Sequence, residues 1–423
     1  MPIIDENGQL TAKRYRSVLD ESLNLRGIDP FAGAVASPVA LLRRDAVEAN
    51  ITAMQQWCDQ RGVLLAPHGK TTMAPGLHQR QLAAGAWGIT VASPAQARVA
   101  LAAGARRILI ANEVTDPAGI RWLGAIRRDH PEIDLCCYVD SPDGVSLLES
   151  GLAPVLPSET GLDVLIELGV PGGRAGVRDE AAAVTVAQAV GGSSRLRLRG
   201  ISAFEGAITG VTPDTRGSAA VREFCHRLVR LTGELGQRGL IEATARRPAI
   251  LSAGGSIFFD DVVAVLTGPR GHLADVPVQV LLRSGCYVTH DHGLYGRATP
   301  AARNGDGPAL TPALEVWGRV ISRPEPTRAI VDVGRRDVSY DDELPHALWR
   351  RPAAGGPAED LTATVIALND QHAFLDLSEG ESLAVGQWVG FGISHPCTTF
   401  DKWNLLLLVD DSGRVVEALE TFF

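Results

Sequence analysis

Apolar residues in this chain follow two rhythms, and the change between them falls near residue 285. Before it, short apolar runs alternate with longer amphipathic stretches. Runs at 63–67, 87–92, 107–111, 134–139, 163–168, 196–204, 249–252 and 276–282 are rich in Val, Ile and Leu and read as strands. Helical spacing of apolar positions predicts helices over 75–84, 94–103, 117–128, 180–190 and 221–239, with Gly85 and Gly104 just past two of the ends. A further helix is predicted over 44–57, on Val47, Ile51 and Met54, behind a short strand at 38–42. Strand–helix alternation of this kind builds a parallel sheet covered by helices. Eight strands in about 225 residues match a closed (β/α)8 barrel. An open doubly wound sheet has the same local pattern, and the count of eight favours closure.

After 285 the helical spacing stops. Short strands separated by Gly, Pro and Asp are predicted at 314–321, 328–333, 361–368, 373–377, 388–392, 405–409 and 415–419, a mostly antiparallel β domain. Stretches 304–312 and 350–359 are rich in Pro and Gly and read as surface loops. The expected organisation is therefore α/β: an N-terminal arm over 1–35 that packs on the β domain, a (β/α)8 barrel over 36–285, and a C-terminal antiparallel β domain over 286–423.

Composition narrows the class. The chain has 423 residues, 45% hydrophobic and 21% charged, and a net charge of −9, which argues against a nucleic-acid partner. No apolar run approaches bilayer length, so no membrane partner is expected. Met1 to Asn7 shows neither a basic nor an apolar leader region, and the six cysteines have no framework spacing. These features lead to the expectation of a reduced, cytoplasmic enzyme.

The candidate chemistry begins with a scarce residue. Of 40 basic residues only three are lysines: Lys13, Lys70 and Lys402. Arginine neither forms an imine nor gives up its proton near neutral pH, whereas a desolvated lysine does both. Lys70, in Pro67-His68-Gly69-Lys70-Thr71, follows the first barrel strand, at the end where barrels carry their chemistry. The bland alternative is a stray surface lysine in an arginine-rich chain. Ser252-Ala253-Gly254-Gly255-Ser256 follows the seventh strand and precedes a predicted helix over 257–266. There, exposed amides and the Ser256 hydroxyl suit a phosphate, although a plain tight turn has the same sequence. Lysine and phosphate site in one barrel point to pyridoxal phosphate, with Lys70 as the Schiff-base residue. Arg174, after the fifth strand, suits a carboxylate or the cofactor, or simply an acidic neighbour.

His395-Pro396-Cys397 offers an imidazole and a thiolate from one turn, a donor pair that suits Zn2+. Two ligands are too few for a closed structural site, so such an ion keeps positions open for water or substrate. Packing is the alternative for this pair. His290, Asp291 and His292 read as a polar domain junction, His372 as a turn residue able to approach from the β domain, and Cys136-Cys137 as core.

These segments, with Leu282-Arg283-Ser284-Gly285-Cys286-Tyr287, resemble the D-serine dehydratase-like and D-threonine aldolase-like proteins. Those are pyridoxal-phosphate enzymes with a barrel of the alanine racemase type. The resemblance implies that Lys70 holds the cofactor and the 252–256 loop binds its phosphate. It also places Tyr287 beside the cofactor and makes His395 and Cys397 zinc ligands. Two positions depart from the family pattern. Thr72 stands where many members have a histidine after Lys-Thr, and Glu205 is the only titratable group where many have a His-rich segment after the sixth strand. The candidate catalytic residues are then Lys70, His68 and Glu205. The candidate cofactor contacts are Lys70, Arg174, Gly254, Gly255, Ser256 and Tyr287. The expected reaction is zinc-dependent dehydration and deamination of a β-hydroxy D-amino acid such as D-serine, a small-molecule substrate, giving a 2-oxo acid and ammonia. Retro-aldol cleavage to glycine and an aldehyde, racemisation, and a non-catalytic cofactor carrier are the alternatives. A homodimer is implied by the resemblance alone.

Overall fold

The computed structural model describes residues 25–208, 212–268, 273 and 276–423, with two short paired strands at Ile3–Ile4 and Leu10–Thr11. Most of the arm expected over 1–35 lies outside these residues, as does Lys13. At its described end Phe31 is buried edge-on between Trp317 and Trp388, ring centroids 5.0 and 5.3 Å away. Among the described residues no helix is long and apolar enough to cross a membrane.

The eight expected strands form a parallel sheet closed on itself. They are Leu64–Leu65, Ile89–Val91, Arg107–Glu113, Asp134–Val139, Leu162–Leu168, Leu196–Ala203, Ala249–Ala253 and Val278–Leu282. From the second to the eighth, neighbours in sequence are neighbours in the sheet, and the eighth pairs with the first through Leu281–Leu64 and Leu282–Leu65. The last seam, between strands one and two, closes past the ends of regular pairing. His68 and Thr90 form a parallel bridge, and the Thr90 N–H donates to Pro67 O at 2.9 Å. The barrel therefore shuts on the segment that carries Lys70.

Local chemistry explains why the helices begin where they do. Pro75, Pro94, Pro117 and Pro142 each open a helix at its first turn, where the missing N–H costs nothing. Ser93, Asp116, Ser141 and Asp179 accept from backbone amides as N-caps, each worth about 1 kcal/mol. The helix Pro142–Leu152 was not among those read from the sequence; Gly144 and Gly151 dilute its apolar pattern. Strand residues alternate between faces. Ala66, Leu109, Cys136, Tyr138, Leu165, Ile250 and Leu281 fill the barrel interior, while Cys137 packs outward beneath the helices.

The second sheet has ten strands. Its centre is Leu314–Glu325, flanked by Trp388–Gly392 and Arg328–Val331. Three expectations need correction. The strand at 38–42, taken as the start of the barrel region, is Val39–Arg43 and pairs with Leu314–Glu325 and Leu405–Val409, so it belongs to the second sheet. Its four buried residues have apolar surfaces on both sides, a pattern shared with a barrel strand. His346–Arg351 is a strand whose end overlaps the expected loop at 350–359; its His and Arg residues hide it from an apolar-pattern reading. Helix also persists after 285, in Leu294–Ala298 and in Cys397–Phe400, the turn that carries the candidate thiolate.

Candidate active site

The first barrel strand runs out at Leu65, and the chain turns through the short 3-10 segment Gly69–Thr71. His78, on the helix Pro75–Ala83, donates from Nε2 to Gly69 O at 3.2 Å. A Cβ at position 69 would lie 2.8 Å from that nitrogen and 2.9 Å from Ile89 Cγ2, so the turn requires glycine. Burial lowers the His78 pKa to about 4, which keeps the ring neutral. The Phe422 N–H donates to Met73 O at 2.9 Å and ties the far side of the turn to the C-terminus. Lys70 is left exposed on the rim. His68 is half-buried, and its Nδ1 is buried without a partner among the described residues. Its pKa falls well below the ordinary value, first through burial and then through the positive charges of Lys70, Arg283 and Arg174. His68 is thus neutral, and three cations bear on one point of the rim.

The glycine loop departs from expectation. Glu205 is buried and accepts from Gly254 N–H at 3.2 Å and Gly255 N–H at 2.5 Å. Burial raises its pKa, while these amides and Arg283 pull it down. A carboxylate engaged by two amides holds the loop in shape. Two of the candidate amides thus have a carboxylate partner, while Ser256 beside them is half-buried. Gly254 has φ +105°, and a Cβ at Gly255 would come within 2.9 Å of Phe204 Cε2. Both positions therefore need glycine for the loop's conformation, whatever binds there.

Arg283 is the residue sequence reasoning undervalued. It is buried and donates to Ser202 Oγ at 2.8 Å, Ser252 Oγ at 2.6 Å and Ala203 O at 2.7 Å, joining strands six, seven and eight at the top of the barrel. Arg174 extends over the Phe204 ring, 5.2 Å from its centroid, and lies 3.5 Å from Glu167. Burial and the neighbouring Glu167 charge raise the Glu113 pKa to about 8. Tyr287 lies in the turn behind the last barrel strand. It is buried, with its hydroxyl accepting from Gln81 Nε2 at 3.0 Å.

Cys286 takes the rim-facing place. Its Sγ is 3.6 Å from Thr71 Oγ1 and 3.4 Å from Cys397 Sγ, and Cys397 Sγ is 3.4 Å from the same threonine hydroxyl. The charge of Lys70, adjacent to Thr71, reaches Cys397 and offsets only a small part of the rise in that thiol's pKa. The sulfur contact splits the two thiols, holding Cys286 below the ordinary thiol value and Cys397 above it. His395 Nδ1 lies 2.7 Å from Asp341 Oδ2, which leaves Nε2 as the outward nitrogen. Ser284 Oγ donates to Gly255 O at 2.5 Å, and a Cβ at Gly285 would lie 2.5 Å from His68 O. The stretch 284–286 thus stitches together the glycine loop, the lysine turn and the second domain. Lys70, His68, Arg174, Glu205, Gly254, Gly255 and Cys397 are joined by these contacts and charges, with His395 two residues from Cys397. Lys402 stands apart, beside Asp401 and Tyr340. Asp291 caps the helix Leu294–Ala298 through three amides, and His292 meets Trp349 edge-on, as a junction should. His372 is exposed in a hairpin turn.

The rim fits pyridoxal phosphate. It presents one exposed amine, positive charge for phosphate and carboxylate, and an unpaired imidazole nitrogen. For a metal, the donor set is smaller: among the described residues no group of three or more His, Cys, Asp or Glu side chains is arranged to hold an ion. His395 and Cys397 alone fit only an open site completed by water or substrate. The Asp341 carboxylate behind the imidazole is the outer-shell partner such a ligand needs.

A family model described as a putative serine dehydratase domain matches residues 313–409. A D-threonine aldolase from Arthrobacter sp is 31% identical over 386 residues, covering 90% of this chain and 91% of that protein. Among solved structures, D-threonine aldolase from Filomicrobium marinum superposes with a TM-score of 0.74 at 25% identity, covering 92% of this chain and 95% of that one. D-threo-3-hydroxyaspartate dehydratase from Delftia sp. HT23 gives 0.72 at 23% identity, covering 93% and 99%, a likeness of fold.

Proposed function

This chain belongs to the D-serine dehydratase-like and D-threonine aldolase-like family, with a barrel of the alanine racemase type, and from that premise we propose that it is a pyridoxal-phosphate-dependent lyase. Its substrates are β-hydroxy D-amino acids such as D-serine, and its products a 2-oxo acid and ammonia. One observation carries the reading: Thr71, next to Lys70, has its hydroxyl 3.4 Å from Cys397 Sγ. The reactive amine and the metal-capable donors therefore border one another across a single turn.

Pyridoxal phosphate, when bound, supplies an electron sink for negative charge at the substrate Cα. Lys70 is the amine that holds it and, once displaced by substrate, takes the α-proton at Nζ. Arg174 and Arg283 supply fixed positive charge for the anionic groups. Neutral His68 adds no further charge beside Lys70. Glu205 keeps the glycine loop in place through its two amide contacts. His395 Nε2 and Cys397 Sγ would hold a zinc or other divalent ion, which supplies Lewis acidity for the departing β-hydroxyl. Asp341 fixes the imidazole through Nδ1.

Retro-aldol cleavage is the second reading, favoured by the identity to the Arthrobacter D-threonine aldolase. It requires a base for the β-hydroxyl proton. The position after Lys70-Thr71 holds Thr72, whose hydroxyl accepts from Ala74 N–H at 3.4 Å and lies 3.5 Å from His78 Nε2, so no imidazole stands there. The test is product analysis with D-serine and D-threonine. Dehydration gives pyruvate, 2-oxobutyrate and ammonia. Glycine and acetaldehyde from D-threonine, with no 2-oxo acid from either substrate, would replace this reading with the aldolase.

A further inference from the structure

Cys286 and Cys397 are 111 residues apart in the chain, yet their sulfurs lie 3.4 Å apart. Cys286 opens the turn Cys286–Val288 behind the last barrel strand, and Cys397 opens the helix Cys397–Phe400 of the second domain. The other four cysteines, Cys58, Cys136, Cys137 and Cys225, sit buried in apolar packing. Cys397 is only half-buried, so this pair is open to a small reagent from the rim while the others are not. A disulfide needs sulfurs about 2.05 Å apart, and these two are already in contact across the domain boundary. Thr71 Oγ1, in contact with both sulfurs, is a hydroxyl that can accept or donate a hydrogen bond as they change state.

We propose that Cys286 and Cys397 form a site of reversible oxidation, closed to a disulfide by hydrogen peroxide, which joins the barrel to the second domain and removes Cys397 from the metal donors. One thiolate attacks a peroxide oxygen; the O–O bond breaks, hydroxide leaves, and that sulfur becomes a sulfenic acid. The second thiolate attacks the sulfenic sulfur, the S–S bond forms, and the hydroxyl leaves as water once protonated. The two sulfurs together lose two electrons, and one peroxide becomes two waters. The loss of metal rests on the proposed function above, in which Cys397 is a ligand. The disulfide itself does not.

The test uses the full chain, stripped of metal or loaded with zinc, treated with peroxide and digested without reductant. Mass spectrometry should find a peptide linking 286 to 397, with the other four thiols intact. Zinc content and D-serine turnover should fall together and return with dithiothreitol and added zinc, and zinc loading should slow the cross-link. The Cys286→Ser variant should give no linked peptide, and its Cys397, with no partner thiol to trap the sulfenic acid, should go on to sulfinic and sulfonic acids, so that dithiothreitol restores less zinc than in the unmodified chain. Absence of the linked peptide, or oxidation of Cys397 only to irreversible acids, would overturn the site. A linked peptide with zinc content unchanged would overturn the displacement of metal and, with it, Cys397 as a ligand, while leaving the disulfide standing.

Discussion

The two sides of the rim are built differently. On the barrel side, most polar groups already have protein partners: Glu205 has two amides, Arg283 two hydroxyls and a carbonyl, and His78 the Gly69 carbonyl. That side is rigid support for one exposed amine. On the side of the second domain, Cys397 meets the barrel's Cys286 and His395 is oriented by Asp341. A region whose hydrogen bonds are satisfied internally positions something else; a region whose donors converge without a partner is shaped for an incoming atom. Changes on the barrel side should therefore act on cofactor retention, and changes on the other side on turnover with the cofactor still bound.

The sharpest break in this comparison is Lys70→Ala. It should abolish the visible absorbance of bound cofactor and lower turnover by at least about 10³-fold; a retained band would place the imine elsewhere. Next, His395→Ala and Cys397→Ala should each lower kcat by about 10²-fold or more while that band persists, since only the Lewis acid is lost. Metal content and a visible scan on the same sample check both statements. Glu205→Ala leaves one buried and one part-buried amide unpaired, which should cost about 2 kcal/mol of stability and weaken cofactor retention. Denaturant midpoints and the cofactor dissociation constant read this, with kcat at saturating cofactor little changed.

The smallest effect is electrostatic. The Glu113 pKa is raised to about 8, first by burial and then by Glu167, against an unfolded value near 4.5. The protonated form is favoured in the folded state, so its contribution is complete below the unfolded value and is lost as pH rises through about 8. Glu113 is partly exposed, and after solvent screening the loss should be about 1 kcal/mol. Glu113→Gln should flatten this decline between acid and mildly alkaline pH in urea midpoints. An equal decline in the variant would assign the pH dependence to other groups.

The barrel side was legible because its signals are local. Alternating strands, Pro at helix starts and Gly at forced turns are each decided within a few residues, and Lys70 was conspicuous by its rarity. The contacts of Glu205 and Tyr287 were not legible because they depend on what lies 50 residues or a whole helix away: the amides of Gly254 and Gly255, and the Gln81 side chain. Cys286 was visible only as a neighbour of Tyr287, since its partner is Cys397 from the other domain. The strand Val39–Arg43 was placed with the barrel for the same reason, as its apolar residues do not say which sheet will bury them.

The most direct measurement is D-serine turnover by the purified protein before and after complete removal of divalent metal, with the visible spectrum recorded throughout. Pyruvate formation should stop on chelation, the cofactor band should stay, and added zinc should restore the rate. A protein with no cofactor band, or one that forms pyruvate at the same rate without metal, would contradict a site shared between Lys70 and the donors of the second domain.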